Sequence, residues 1–296
     1  MSCYENKSSA IRNDEHRYEE YIAITRFDNV ITVVQVELLK EVLKHNFSVI
    51  IIILNTSGGR MKSTLEIIRL IRDSEIPIIV YVYPEKATAL SAGTYILLSA
   101  HIASMAPGAI IGACHPTYFS EKYEYVMNRN IVEELKSTLF TEATKFGRNL
   151  TLINYFIERD LVVTAEEAYK NRVIEILAPT LEDLLRKLNG LKIKMKEKVV
   201  ILNTINKRLI FWKPSVRIRI LMFLTDNITI SLAFILGVIM FYLGEKRSML
   251  RLLSLPCFLL GILGLGISYP NFFIPYVVFI ALIVFNIVIL SLRRFH

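Results

Sequence analysis

Cysteine is scarce in this chain: Cys3, Cys114 and Cys257 are its whole complement, no two stand in C-x-x-C spacing, and Cys257 lies inside an apolar run. That excludes a disulfide framework and a cysteine-built zinc site, and no metal or cofactor is expected. An apolar leader is missing from the first thirty residues, because Met1–Tyr18 is polar and charged; residues 1–18 are expected to be disordered. Acidic residues almost vanish from the last third. Residues 191–296 hold 14 basic and 3 acidic side chains, against 21 and 24 in residues 1–190. The pI of about 9.3 therefore belongs to the C-terminal third. Those positive charges flank apolar runs, which points to a lipid surface and away from nucleic acid. A wholly soluble composition is excluded as well, since 53% of the residues are hydrophobic and the mean hydropathy is +0.43.

Three apolar stretches close the chain: Ile228–Leu243, Leu252–Ser268 and Phe272–Leu292. A helix needs about 20 apolar residues to cross a bilayer, somewhat fewer with interfacial flanks, so residues 228–296 are expected to form three transmembrane helices. Residues 191–227 read as a basic juxtamembrane linker. Within it, LKIKMKEKVVILN alternates Lys with Leu, Ile and Met, which fits either a small β-hairpin with one wet face or a polybasic tether. Nine basic residues stand against Glu197 alone between 191 and 219, so this segment is expected to lie along the membrane. Lys246, Arg247, Arg251, Arg293 and Arg294 would place the 244–251 loop and the tail inside, and the N-terminal domain outside. The missing leader and the basic juxtamembrane stretch favour the cytoplasmic side for that domain, and this is the side expected.

Residues 19–190 alternate strand and helix patterns. The strands are Tyr21–Thr25, Ser48–Leu54, Pro77–Tyr83, His101–Met105, Ala109–Ala113 and Val173–Leu177. Helical spacing covers Val33–His45, Lys62–Arg72, Leu90–Ala100, Arg129–Phe146, Thr151–Glu158, Thr164–Lys170 and Leu181–Leu188. Continuous apolar strands such as SVIIIIL need both faces covered, so the pattern implies an α/β sheet flanked by helices.

Two motifs carry chemistry. LNTSGGR (54–60) follows the most apolar strand, and its paired glycines let backbone approach a ligand with amides turned outward; an ordinary strand-to-helix turn would look the same. SAGTYILLSA (91–100) puts Ser91 at the start of a small-residue helix. There its hydroxyl could face a cleft beside helix N-terminal amides, or simply cap the helix.

In order and spacing, LNTSGGR, IPIIVYVYP, SAGTYI, MAPGAIIGACHP, GRN (147–149) and LVVTAEEAYKNRVIEI resemble the Clp-protease/crotonase superfamily, and more closely the NfeD-family membrane-bound serine proteases. The resemblance implies a Clp-protease/crotonase-like domain of stacked ββα units over 19–190, followed by an α-helical transmembrane region. It implies Ser91 as nucleophile and an oxyanion hole built from Gly58, Gly59 and the amide of Ala92. It also implies a lysine base seven residues before the glycine of GRN. That position is Phe140; Lys136 lies one helical turn earlier on the same face, close to Glu133 and Glu134, which oppose the lowered pKa a lysine base needs. His115, in the HP dipeptide after the AIIGAC strand, is the competing base, or a structural histidine before Pro116. Arg172 stands where the family has glycine, so a different backbone conformation is expected there. The soluble β-barrel that many relatives carry after the spans is not expected here, and binding functions credited to it are not carried over.

The expectation is a membrane-anchored serine endopeptidase, cleaving hydrophobic segments of membrane-associated proteins through an acyl-enzyme on Ser91. Its expected associates are membrane lipid, a stomatin-like membrane protein as substrate or partner, and further copies of itself in a homodimer or higher homo-oligomer. The alternatives are a catalytically inactive Clp-like scaffold, which Phe140 would favour, and a crotonase-type acyl-CoA enzyme, which the Ser91 hydroxyl and the apolar tail disfavour.

Overall fold

Six consecutive Val, Ile and Leu residues leave β2 (Val49–Asn55) no wet face, and each of the six is buried. In the computed structural model β2 sits inside a six-stranded sheet of order β11-β1-β2-β3-β5-β8, parallel throughout. The other members are β1 (Tyr21–Asp28), β3 (Ile78–Val82), β5 (Ile102–Met105), β8 (Ile176–Leu177) and β11 (Arg208–Phe211). The described residues are 20–114, 129–195, 198–243, 253–254 and 256–261; they divide into two units, Met1–Lys213 and Pro214–His296.

In the first unit, the helices are α1 (Val33–Val42), α2 (Met61–Asp73), α3 (Ala92–Ser99), α4 (Arg129–Lys145), α5 (Leu150–Glu158), α6 (Ala165–Lys170) and α7 (Leu181–Leu188). Local sequence sets their starts. Thr32 and Gln35 form a capping box on α1, Thr164 and Glu167 one on α6, and the Thr180 hydroxyl caps α7. One core cluster joins Ile22, Ile24, Ile51, Ile53 and Tyr81 of the sheet to Leu184 and Leu188 of α7. Tyr81 is wholly buried and spends its hydroxyl on the Ala178 carbonyl at 2.7 Å.

A second, three-stranded sheet was only partly foreseen. β4 (Thr88–Leu90) runs parallel to β6 (Ile110–Gly112), which pairs antiparallel with β7 (Val162–Thr164). A single bridge, Thr56 to Ala89, links β4 to the residue following β2.

Three expectations change. The small-residue helix begins at Ala92 and not at Leu90, because Leu90 is held in β4 by pairing with Gly112. Arg172 adopts a left-handed conformation, with φ 57°, of the kind glycine takes most easily. It follows the C-cap Asn171 of α6, the position where a positive φ ends a helix, so the strain, roughly 1 kcal/mol, is retained and not avoided. Finally, residues 191–213, placed in the basic linker with a small hairpin as one of its two readings, group with the first unit. β9 (Lys192–Met195) and β10 (Lys198–Ile201) form an antiparallel hairpin, and β11 adds a parallel edge beside β1.

The second unit contains α8 (Val216–Thr225) and α9 (Asn227–Leu243), the latter covering the first apolar run. Among the described residues no single helix is long and apolar enough to cross a membrane. One bent pair, Val216–Thr225 with Ile230–Phe241 at 67°, passes by length and composition. A Cβ on Gly237 would stand 3.3 Å from Cys257 Cβ, so the missing side chain admits the segment from the second run. The third run, Phe272–Leu292, lies outside the described residues, as do residues 1–18.

Candidate active site

β2 ends at Asn55, and the next residues are pinned to β4 by their own side chains. The Thr88 amide donates to Asn55 Oδ1 at 3.0 Å, and backbone bonds run from Thr56 N to Thr88 O at 2.7 Å and from Leu90 N to Thr56 O at 3.1 Å. The buried Thr56 hydroxyl accepts from the Gly58 amide at 3.1 Å and donates to the Gly58 carbonyl at 2.9 Å. This fold-back turns Gly58 to φ 140°, a region open to glycine.

Gly58 then lies directly over Ser91. A Cβ at Gly58 would be 3.1 Å from Ser91 Cβ and 3.4 Å from its Oγ. Gly59 is packed still closer, because a Cβ there would fall 2.4 Å from Ile31 Cβ and from the Ile31 carbonyl oxygen. The two glycines therefore do different things. The Gly58 amide is taken by Thr56, and Gly58 supplies clearance. The Gly59 amide has no acceptor among the described residues.

Ser91 occupies the junction from β4 to α3 at φ 49°, ψ −114°, and its side chain makes no cap hydrogen bond. A helix-capping serine would have extended backbone and would spend its oxygen on the first turn. Here the backbone is strained, the hydroxyl is uncommitted to the helix, and the residue is partly exposed. Such outliers at a strand–helix turn mark functional positions. The strain is enforced from several directions. Ser91 N donates to Gly112 O at 3.1 Å, while the buried Thr94 hydroxyl lies 2.8 and 2.7 Å from the Ala89 and Gly112 carbonyl oxygens, donates its single proton to one of them and accepts from Gly112 N. Gly93 has no room for a side chain, because a Cβ would meet Thr56 Cγ2 at 2.7 Å. The amide of Ala92, first in α3, has no acceptor among the described residues. Two backbone amides near Ser91 in the chain, on Gly59 and Ala92, thus have no acceptor among the described residues.

Lys136 stands on α4, which packs against α3 and α2. It is half-buried on the border of the buried stripe Leu135, Leu139 and Ala143, and Phe140 shares that border one turn on. Glu134 turns to Arg69 of α2, so one of the two neighbouring carboxylates is already paired. His115 lies outside the described residues. Its neighbour Cys114 is buried, with its thiol pushed up to about 12 by desolvation and by Asp160, so it offers no thiolate.

Sequence reading passed over the far end of α3. Arg148, of the GRN segment, is buried and donates to the carbonyls of Leu98 and Ala100 at 2.5 and 2.9 Å. Its Nε and Nη2 reach the two Glu175 oxygens at 2.8 Å each, and Glu175 also accepts from Ala103 N. A buried cation therefore holds the carbonyl end of the helix that begins at Ser91. His101, also without motif context, is a satisfied core residue whose Nδ1 accepts from Ile78 N at 3.0 Å. No group of three or more potential metal ligands occurs among the described residues.

Residues 34–121 match the family model described as NfeD1b, N-terminal domain. The membrane-bound protease PH1510 of Pyrococcus horikoshii is 37% identical over 222 residues, 72% of this chain and 47% of that protein. The membrane protein NfeD1b of Bacillus subtilis is 48% identical over 64 residues, 22% of this chain and 14% of that protein. The chain thus spans about half the length of the first relative or less of the second. Among solved structures, the 1510-N membrane-bound stomatin-specific protease, as a serine-to-alanine variant, superposes with a TM-score of 0.60 at 35% identity, covering 66% of this chain and 98% of the other. A lysine-to-alanine variant of it, in complex with a substrate peptide, gives 0.62 at 34% identity, with 70% and 98% covered.

Proposed function

The chain belongs to the NfeD family, and from that premise we propose that it is a membrane-anchored serine endopeptidase acting through an acyl-enzyme on Ser91. The observation that carries this reading is the strained, uncapped Ser91 packed against Gly58 at the start of α3, with the Gly59 and Ala92 amides unspent among the described residues. Its Oγ attacks the scissile carbonyl as the base removes its proton. The oxyanion that forms is held by those two amides, which backbone already fixes in place; one such donor contributes about 3 kcal/mol to the transition state. The base then returns the proton to the departing amine, and water releases the acyl group by the same route in reverse.

Lys136 is the base we favour. It sits on the helix packed against α3, it has no carboxylate partner among the described residues, and one carboxylate beside it is paired elsewhere. His115 is the competitor. Substrates are hydrophobic segments of membrane-associated proteins, and a stomatin-like protein is the first to try, since the related 1510-N protease is specific for a stomatin homologue. We place the anchor in three apolar spans over 228–296, the domain on the cytoplasmic side, and the working form as a homo-oligomer.

The test uses the full chain in detergent, incubated with hydrophobic peptides and separately with a fluorophosphonate that labels activated serines. Cleavage and labelling should both vanish in Ser91→Ala, and cleavage should fall on the order of 10²-fold or more in Lys136→Ala. Loss in His115→Ala with Lys136→Ala unaffected would move the base to His115. A folded chain that neither cuts nor labels overturns the peptidase in favour of a binding scaffold.

A further inference from the structure

The β9–β10 hairpin has two chemically distinct faces, and the proposed peptidase chemistry uses neither. Antiparallel pairing sets Val199 opposite Lys194 and Ile201 opposite Lys192, with Val200 opposite Ile193 and Lys198 opposite Met195. Residues directly opposite one another share a face. Ile193, Met195 and Val200 therefore point inward, and all three pack in the core cluster. The outward face presents Lys192, Lys194, Val199 and Ile201. Val199 is 65% exposed and Ile201 61% exposed, although β-branched side chains of this size usually find cover. Further along, Ile205 and Phe211 are 61% and 60% exposed.

We propose that this outward face docks on an anionic lipid surface. Two apolar side chains flanked by two lysines match the headgroup boundary, where the apolar groups enter the acyl region and the ammonium groups stay with the phosphates. The charge of the segment fits that occupant, with nine basic residues against Glu197 between 191 and 219. The position in the chain fits as well, because α8 and α9, which expose Val216, Ile220, Phe223, Leu232 and Ile235, follow within the next thirty residues. An uncharged hydrophobic peptide would gain nothing from the lysines, and a second copy is separated from lipid by sedimentation velocity. The inference does not depend on Ser91 and stands or falls separately from the peptidase reading.

Residues 1–213 carry their own core and, among the described residues, every strand of the three sheets, so this unit can be tested free of the apolar helices. Its binding is measured by co-sedimentation with vesicles of phosphatidylcholine alone and with 30% phosphatidylglycerol. Binding is expected to the anionic vesicles only. Lys192→Gln with Lys194→Gln should weaken it roughly 30-fold, Val199→Ser with Ile201→Ser should weaken it by a similar order, and the circular dichroism of each variant should stay unchanged. Absence of binding by the folded unit overturns the proposal, as does equal binding to both vesicle types or indifference to all four substitutions. A dimer in sedimentation velocity that Val199→Ser with Ile201→Ser dissolves, without vesicle binding, would assign the face to a second copy instead.

Discussion

The two ends of the eight-residue helix α3 are built on opposite principles. Its C-terminal end is satisfied. Arg148 supplies donors to the carbonyls of Leu98 and Ala100, and Glu175 neutralises and orients Arg148. Its N-terminal end is left open. Ser91 is strained, its hydroxyl caps nothing, and the Ala92 amide points at no acceptor among the described residues. A helix ordinarily seeks caps at both termini. Leaving one uncapped keeps its donors unspent, and under the proposed peptidase reading those donors serve the reacting group while the other end holds the helix in place. The same contrast separates Gly58, whose amide is spent, from Gly59, whose amide is not.

Substitutions can break this contrast at either end. The largest effect is expected from Gly59→Ala, because a Cβ 2.4 Å from Ile31 backbone and side chain cannot be accommodated. The loop must leave Ser91, with a loss of about 3 kcal/mol or more and complete loss of serine labelling, read by chemical denaturation and the fluorophosphonate. Next comes Arg148→Met, which strands two helix-end carbonyls and Glu175. A loss of about 3 kcal/mol is expected, with Glu175→Gln milder because that side chain is partly exposed. At the open end the sign reverses. Ser91→Gly should raise stability over Ser91→Ala by roughly 1 kcal/mol, since glycine alone relaxes at φ 49°, while both variants lose activity. Equal denaturation midpoints for the two would remove strain from the description of this site.

The smallest effect concerns Glu166, in the first turn of α6. Its carboxyl is held below the usual range by its own backbone amide and by the Gly108 amide at 3.0 Å. A depressed folded pKa means the stabilisation is complete above the unfolded value, about 4.3, and is lost as pH falls through the folded value. Glu166→Gln should slightly lower stability at neutral pH and flatten the acid limb of a stability–pH profile below about pH 5, so that the two proteins converge at low pH.

Much of the large sheet was legible. SVIIIIL could only be an inner strand, and the repeat through Lys62–Arg72 could only bury one helical face. Ser91 and the two glycines were legible as a motif. Strands made by pairing were harder to see. β4 is the plain tripeptide Thr-Ala-Leu, held by Asn55, Thr56 and Gly112, and nothing periodic announces it. β7 was hidden for the same reason. The basic stretch 191–213 was dominated by its charge, although its alternation already described a hairpin; the inward side of that alternation is the one that reaches the core. Arg172 shows the limit of residue-type rules, because a well-anchored turn can hold a non-glycine residue left-handed. The assignment of Thr56, Thr94 and Arg148 to the support of Ser91 needed coordinates, since each acts through backbone groups distant in sequence.

The edge strand β11 has a consequence for biosynthesis. β1 is among the first segments of the domain to be made, yet one of its two edges is covered only by Arg208–Phe211. At about 5–20 residues per second, translation reaches that strand on the order of 10–40 s after β1, so a bare strand edge must be kept from other nascent chains for that interval. The residues synthesised immediately afterwards are those of α8 and α9. Completion of the sheet therefore falls in the same short window of translation in which these apolar helices are made.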